Sequence, residues 1–297
     1  SVEHPAVISV AKSLQYLGWD IIYWPVDHRG NLKLEYLEEF LAPPTKILSL
    51  IWGQSEIGTL QPIELIGKEC SKRGIIMHTD ASQYISHRPI SWSSLSVDYL
   101  SASAHKFRGP RGIGLLLKQT NKDLPFFPLF AGGKQESGFR GGTPSVDLIA
   151  GMCLALEITY ATFNNNDNTS FPKVLTVPDL TFKFRKQLEQ CSNIKFTGDP
   201  YNRLSNHISM LICNNHKSPI LTNSLVKSLS QKGIYVSTGS ACSSLSNQPS
   251  HVLQAIKIDP ALYYSSLRIS LGNWITTEDV EESTYVIQET IDKVGIK

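Results

Sequence analysis

Ser101-Ala-Ser-Ala-His-Lys-Phe-Arg-Gly-Pro-Arg-Gly-Ile-Gly114 places Lys106 26 residues after Asp80, itself in His78-Thr-Asp-Ala-Ser-Gln83. Each motif closes an apolar, strand-like run: Ile75 to His78 before the aspartate, and Val97 to Ala102 before the lysine turn. Gly109, Gly112 and Gly114 let backbone approach a ligand, while Ser101, Ser103 and His105 bring hydroxyl and imidazole donors suited to a phosphate. A lysine on such a turn, with an aspartate ending a buried strand, suits a covalently held aldehyde cofactor. The amine forms a Schiff base, and the carboxylate keeps a pyridine nitrogen protonated so that the ring accepts electrons. The plainer alternatives are a solvated surface lysine and an aspartate that caps a helix at Ala-Ser-Gln; the capping role is compatible with ligand binding. His78 and His87 raise the question of a metal with Asp80, but His78 and Asp80 share a strand face without a third close ligand, and no metal is expected.

Outward from this stretch, helical and strand patterns alternate. Helices are predicted over Ala6 to Leu17, Leu34 to Leu41 and Pro62 to Arg73, the first ended by Gly18 and the last by Gly74. Strands are predicted over Ile21 to Trp24 and Lys46 to Trp52, besides the two above. This order predicts an α/β fold with a mostly parallel central sheet flanked by helices, whose sites lie at the carboxyl ends of the strands. Asp80 and the Ser103–Lys106 turn both fall at such ends. After a helical pattern around Leu148 to Thr162, the polar run Phe163-Asn-Asn-Asn-Asp-Asn-Thr-Ser-Phe171 reads as a surface insertion near a domain boundary. The expected organisation is a large domain over 1–162 and a smaller α+β domain over 163–297. In the latter, strands near Asn206 to Ile212 and Ile234 to Val236 flank a helix around Leu221 to Gln231, and Thr276-Thr-Glu-Asp opens a capped helix.

At 297 residues, 41% hydrophobic and 18% charged, the composition is that of an ordinary globular protein with a sizeable core. A net charge of +2 gives no electrostatic case for nucleic acid or an anionic membrane, and no apolar run is long enough to span a bilayer. The opening Ser-Val-Glu-His has no signal-peptide character. Five widely spaced cysteines without a Cys-x-x-Cys argue against disulfides or zinc and for a reducing compartment. Cys70 and Cys153 lie in apolar helical patterns and read as inert core residues.

Two further stretches carry chemistry. Cys242 sits in Val236-Ser-Thr-Gly-Ser-Ala-Cys-Ser-Ser-Leu-Ser-Asn247, a small, polar setting that reads as an exposed loop and gives a reactive thiol access; an incidental surface cysteine is the alternative. Arg268, in Ser265-Ser-Leu-Arg-Ile-Ser-Leu-Gly272, alternates onto one strand face with Ser266 and Ser270. There it would clamp a carboxylate or stand as a partly exposed strand arginine.

The sequence resembles the cysteine desulfurases, the NifS/IscS-like branch of the pyridoxal-phosphate-dependent, fold-type-I class V aminotransferases. The resembling segments run almost end to end in family order: Val2-Glu-His-Pro-Ala-Val, Glu56-Ile-Gly-Thr-Leu-Gln-Pro-Ile63, His78-Thr-Asp-Ala-Ser-Gln83, Ser103-Ala-His-Lys106, Gly109-Pro-Arg-Gly-Ile-Gly114, Gly138-Phe-Arg-Gly-Gly-Thr143, Ser240-Ala-Cys242 and Ser265-Ser-Leu-Arg268. The resemblance implies that pyridoxal 5'-phosphate is held on Lys106, stacked on by His4, paired at its ring nitrogen by Asp80 and at its phenolic oxygen by Gln83. Ser103 and His105 would bind the phosphate. Thr143 would reach the phosphate of a neighbouring subunit, implying a homodimer. Arg268 would hold the carboxylate of L-cysteine, Lys106 and His4 would assist proton transfer, and Cys242 would take the sulfur as a persulfide, leaving L-alanine. The sulfur would pass to an acceptor protein for iron–sulfur cluster assembly or thiolation, in the cytoplasm or an organelle matrix. Selenocysteine or cystine lyase chemistry on the same scaffold, and a catalytically reduced binding or assembly protein, are the alternatives.

Two departures from the family pattern stand out. Where the family reads Asn-Asn-Glu-Ile-Gly, this chain reads Gln54-Ser-Glu-Ile-Gly58; Ser55 stands in for an asparagine that serves cofactor and substrate carboxylate, and a hydroxyl cannot make an amide's full set of hydrogen bonds. The chain also starts at the histidine motif, without the family's preceding segment and its Gly-Thr turn at a helix N-terminus, so weaker retention of the cofactor phosphate is expected.

Overall fold

A computed structural model describes residues 1–128, 130–161, 176–214, 218–239 and 248–295. Their helices, in chain order, are α1 (Pro5–Tyr16), α2 (Leu37–Phe40), α3 (Ile63–Arg73), α4 (Val146–Ala161), α5 (Val177–Leu188), α6 (Thr222–Gln231), α7 (His251–Ala255) and α8 (Thr277–Gly295). Their strands are β1 (Ile47–Ile51), β2 (Ile76–Asp80), β3 (Tyr99–Ser103), β4 (Gly114–Lys118), β5 (Ile194–Phe196), β6 (His207–Ile212), β7 (Ser237–Thr238) and β8 (Ser266–Ser270). These elements form two compact units. One, the Lys106 unit, comprises Leu41–Trp52 and Pro62–Asn168; the other, the Arg268 unit, comprises Ser1–Phe40, Gly53–Gln61 and Thr169–Lys297.

In the Lys106 unit the sheet order is β1-β2-β3-β4, with the first three strands parallel and β4 antiparallel at the edge. This is the mostly parallel sheet the sequence predicts. Parallel neighbours need a crossover, and α3 supplies it between β1 and β2. Ile63, Ile66, Gly67 and Cys70 form its buried stripe at helical spacing, and Gly74, in the left-handed region at φ 68°, ends it. At the far end of the sheet the Ala81 N–H donates to the Ser101 carbonyl at 2.9 Å. Behind it, Asp98 accepts from the Met77 N–H at 2.8 Å and meets the Lys122 ammonium at 2.7 Å.

In the Arg268 unit the sheet is antiparallel throughout, in the order β5-β6-β8-β7. Its faces divide by the two-residue period of strands. Ile208, Met210, Ile212, Leu267 and Ile269 join Leu180, Leu225, Leu229, Ile287 and Ile291 of α5, α6 and α8 in one core. His207, Ser209, Ser266 and Arg268 take the opposite face. Helix α8 is opened by the expected cap: Thr276 Oγ1 accepts from the Asp279 N–H at 3.1 Å, and Asp279 accepts from the Thr276 N–H at 2.8 Å.

Several expectations require correction. Ile21 to Trp24 is not a strand: among the described residues no ladder forms with it, and nearby there is the isolated bridge Val26↔Leu32. Leu34 to Leu41 divides into a 3₁₀ turn over Leu34–Tyr36 and the short α2. Ile234 to Val236 is displaced from the sheet, because the Ile234 N–H is committed to the Leu229 carbonyl at 3.0 Å as part of the end of α6; the strand forms at Ser237–Thr238 instead. Cys70 is buried as expected, and burial pushes its thiol up to about 11. Cys153 is exposed: on α4 the inward stripe runs through Gly151, Ala155 and Thr159, and Cys153 lies on the other side with Leu154 and Glu157. The insertion expected at Phe163 to Phe171 lies outside the described residues.

A Cβ at Gly67 would stand 2.4 Å from the Ser96 carbonyl oxygen. Gly67→Ala should therefore destabilise by about 2 kcal/mol in urea unfolding, although alanine is intrinsically better in a helix by roughly 1 kcal/mol.

Candidate active site

In the Lys106 unit, β2 and β3 are parallel neighbours with Asp80 opposite Ser101, so Asp80 ends β2 close to where β3 runs into the lysine turn. Asp80 is buried, and its Oδ1 accepts from the Ser82 N–H at 2.9 Å in a local turn. It does not cap a helix, as the sequence alternative had it: the next helical turn starts only at Tyr84, with Gln83 at its N-cap position. Lys106 lies in a single 3₁₀ turn, Ala104–Phe107, anchored by buried Ala104 and Phe107, while His105 and Lys106 are exposed. The turn doubles back through Arg108, left-handed at φ 66°, and closes with the Gly109 N–H on the Ala104 carbonyl at 2.9 Å. Glycine is required at 114, where a Cβ would stand 2.6 Å from the Ala102 carbonyl oxygen. One rung back, His78 bridges β1 and β3: its ring nitrogens lie 2.8 Å from Ser49 Oγ and 2.9 Å from Ser101 Oγ. Burial holds the His78 imidazole below its ordinary range, with the Asp80 charge opposing. His105 is lowered too, by burial and then by the Lys106 and Arg111 charges. Gln83 is half-buried just beyond β2, and Thr143 is exposed in the segment before α4.

The Arg268 unit holds the other candidates. His4 caps α1, its Nδ1 accepting from the Ala6 N–H at 3.2 Å. Arg268 donates from Nη1 to the Ser55 carbonyl at 2.8 Å and from Nε and Nη2 to Ser237 Oγ at 3.2 and 3.1 Å. Position 55 thus meets the guanidinium through its main chain, a contact that does not depend on the side chain exchanged there. Ser55 rides on a turn that Gln54 holds, Oε1 accepting from the Glu56 and Ile57 N–H groups at 2.5 and 3.0 Å. Three polar residues of this region carry no role from the sequence: buried Glu56 and His207, and half-buried Arg203. Glu56 accepts from Ser250 Oγ at 2.5 Å, and Ser250 caps α7 by accepting from the Val252 and Leu253 N–H groups. The polar alternation along β6 was the available signal for His207; nothing local marks Arg203. Cys242 lies outside the described residues.

The class-V aminotransferase pattern matches residues 1–282. The cysteine desulfurase IscS of Dictyoglomus turgidum is 36% identical over 294 residues, covering 99% of this chain and 71% of the relative. The chain belongs to the class-V aminotransferases, in their cysteine desulfurase branch. The mitochondrial cysteine desulfurase of Saccharomyces cerevisiae is 32% identical, with 98% of this chain and 55% of that protein covered. Among solved structures, a NifS-like protein superposes with a TM-score of 0.83 at 33% identity, over 97% of this chain and 72% of its own. SspA, solved in complex with cysteine, gives a TM-score of 0.74 at 31% identity, over 91% of this chain and 71% of its own.

This desulfurase is a pyridoxal-phosphate-dependent enzyme, and the residues of the Lys106 unit fit that group. A buried carboxylate at a strand end suits a pyridinium nitrogen. A glycine-closed turn carrying exposed His105, Lys106, Arg108 and Arg111 suits a phosphate dianion. Among the described residues no cluster of His, Cys, Asp and Glu could hold a metal, and no helix is long and apolar enough to cross a membrane.

Glu56 gives this region a pH signature. Burial pushes its carboxyl up to about 7 from 4.5, against the Ser250 hydrogen bond and the Arg268 charge. Between those values the folded protein holds a proton that the unfolded chain releases, so stability falls as pH rises through the window and levels off above it. The loss should be on the order of 3 kcal/mol between pH 4.5 and 7, and Glu56→Gln should flatten the profile in urea unfolding followed across it.

Proposed function

We propose that the protein takes sulfur from L-cysteine, releasing L-alanine and leaving a persulfide on Cys242 for transfer to an acceptor protein. The observation that carries this reading is the parallel pairing of β2 and β3, which brings the strand-ending carboxylate of Asp80 to the same end of the sheet as the Lys106 turn, within a desulfurase family member. The solved complex of SspA with cysteine supports the choice of substrate.

When bound, pyridoxal phosphate supplies an electron sink conjugated to the substrate's Cα. The protein's own groups do the rest. Lys106 would hold the cofactor and, as a free amine, would move the proton at Cα; His4 would help hold the ring and assist the proton transfer. Asp80 would keep the ring nitrogen protonated, Gln83 would serve the phenolic oxygen, and Ser103 and His105 would hold the phosphate. Arg268 grips the substrate carboxylate, with Ser55 in support. The Cys242 thiolate attacks the substrate sulfur: an S–S bond forms as the Cβ–S bond breaks, and the electron pair leaves with Cβ, which takes up a proton to become the methyl of alanine. Thr143 reaches the phosphate of a neighbouring subunit, so the working form is a homodimer. Bacterial and mitochondrial relatives support a cytoplasmic or organelle-matrix location, with iron–sulfur assembly or thiolation as the destination of the sulfur.

The protein incubated with pyridoxal phosphate should absorb near the visible edge, and Lys106→Ala should lose that band and slow alanine formation by at least about a hundredfold. Cys242→Ala should keep the band but lose both alanine formation and protein-bound sulfur. Alanine production surviving in Cys242→Ala would mark instead a lyase that releases its product without an enzyme persulfide.

A further inference from the structure

The Ser55 carbonyl receives two donors: Arg268 Nη1 at 2.8 Å and His207 Nε2 at 3.1 Å. A carbonyl oxygen only accepts, and it has lone pairs for both. Nε2 of His207 therefore carries the ring proton, and Nδ1 is the acceptor, facing the Arg203 Nη2 donor at 3.4 Å. The imidazole is thus locked in one tautomer and one orientation, 3% exposed, between a donor and an acceptor. Strand register puts it there: Arg268 of β8 sits opposite Ser209 and His207 opposite Ser270, so His207 and Arg268 are diagonal neighbours on one face. Arg203 is itself fixed by main-chain carbonyls, donating to Thr197 at 3.3 Å, Asp199 at 3.1 Å and Ile57 at 3.3 Å. Gly58, at φ +81°, leaves room for the group, since a Cβ there would stand 2.7 Å from His207 Nδ1 and 3.0 Å from Arg203 Nη2.

We propose that His207 is a positioning residue for the substrate carboxylate: its Nε2–H fixes the Ser55 carbonyl that in turn orients the Arg268 guanidinium. The inference rests on the reading of Arg268 as the carboxylate-binding residue. It assigns the buried imidazole no part in the chemistry at sulfur or at Cα; its effect is on how well a carboxylate-bearing substrate is held. Phenylalanine at 207 keeps the ring volume and removes the N–H, whereas glutamine places an amide N–H near the position of Nε2.

The experiment uses the holoenzyme. For His207→Phe, the KM for L-cysteine should rise about tenfold, the scale of losing a hydrogen bond to a charged group's partner, with a much smaller change in kcat. His207→Gln should restore most of the loss. The concentration of cysteamine, which lacks the carboxylate, needed to shift the absorbance of the lysine-bound cofactor should stay the same in all three proteins. An unchanged KM in His207→Phe, alongside a raised KM in Arg268→Lys, overturns the inference and leaves the Arg268 reading standing. A KM unmoved by Arg268→Lys overturns both. If His207→Phe loses its cofactor or unfolds, His207→Gln decides: a KM near that of the unsubstituted enzyme supports the positioning role, and a tenfold rise refutes it. A cysteamine response weakened in parallel with cysteine also refutes it, since the defect would then not be one of carboxylate recognition.

Discussion

The Ala81 N–H to Ser101 carbonyl bond holds the ends of β2 and β3 side by side, and the chemistry of the Lys106 unit depends on that alignment. Parallel strands paired in register leave their carboxyl ends on one edge, so the residues that follow them converge without any long-range search. Asp80 can then be buried at the end of one strand while the next turns tightly enough to present His105 and Lys106 outward. Asp98, fastened to the Met77 N–H and to Lys122, ties the opposite ends of the same two strands. A one-residue slip of β2 against β3 would turn Asp80 to the other face of the sheet.

The Arg268 unit obeys the same period-two rule to a different end. One face of its sheet is committed to an apolar core with α5, α6 and α8, which leaves the other free to hold polar groups at fixed positions. Half-burying two guanidinium groups beside a buried histidine is costly: burial pushes Arg203 down to about 10, and His207 is held well below its ordinary value by burial and both arginine charges. The cost is met by directing most Arg203 donors and Arg268 Nη1 at backbone carbonyls, and Arg268 Nε and Nη2 at the Ser237 hydroxyl.

The legible parts of the fold were those governed by local rules. Gly74 and Gly18 marked helix ends because left-handed backbone is cheap for glycine, and Thr276 with Asp279 formed the predicted cap because its hydrogen bonds span three residues. The placement of Asp80 and Lys106 was readable because one closes an apolar strand and the other lies in the turn that follows the next. What failed depended on partners distant in sequence. Ile21 to Trp24 has the composition of a strand but no ladder partner among the described residues, and Cys153 sits in an apolar helix whose apolar residues extend round to its exposed side. Alternation along β6 puts His207 on the polar face, but its partner, like that of Arg203, is a carbonyl of the 55–57 turn, which no spacing near residue 200 indicates.

That distance in sequence bears on how the chain folds as it is made. The bond from Arg268 to Ser55 closes a separation of 213 residues, and that from His207 to Ser55 one of 152. Much of the Lys106 unit's sheet pairs within a few tens of residues: Ile51↔Asp80, Asp80↔Ser101 and Ser103↔Gly114 can form while the ribosome is still adding the C-terminal third. Ser55 therefore emerges early and waits for the strand that carries its arginine. The Lys106 turn is available to the nascent chain long before Arg268, so on the proposed function a newly made molecule would have its cofactor anchor in place while the residue that would hold the substrate is still being synthesised.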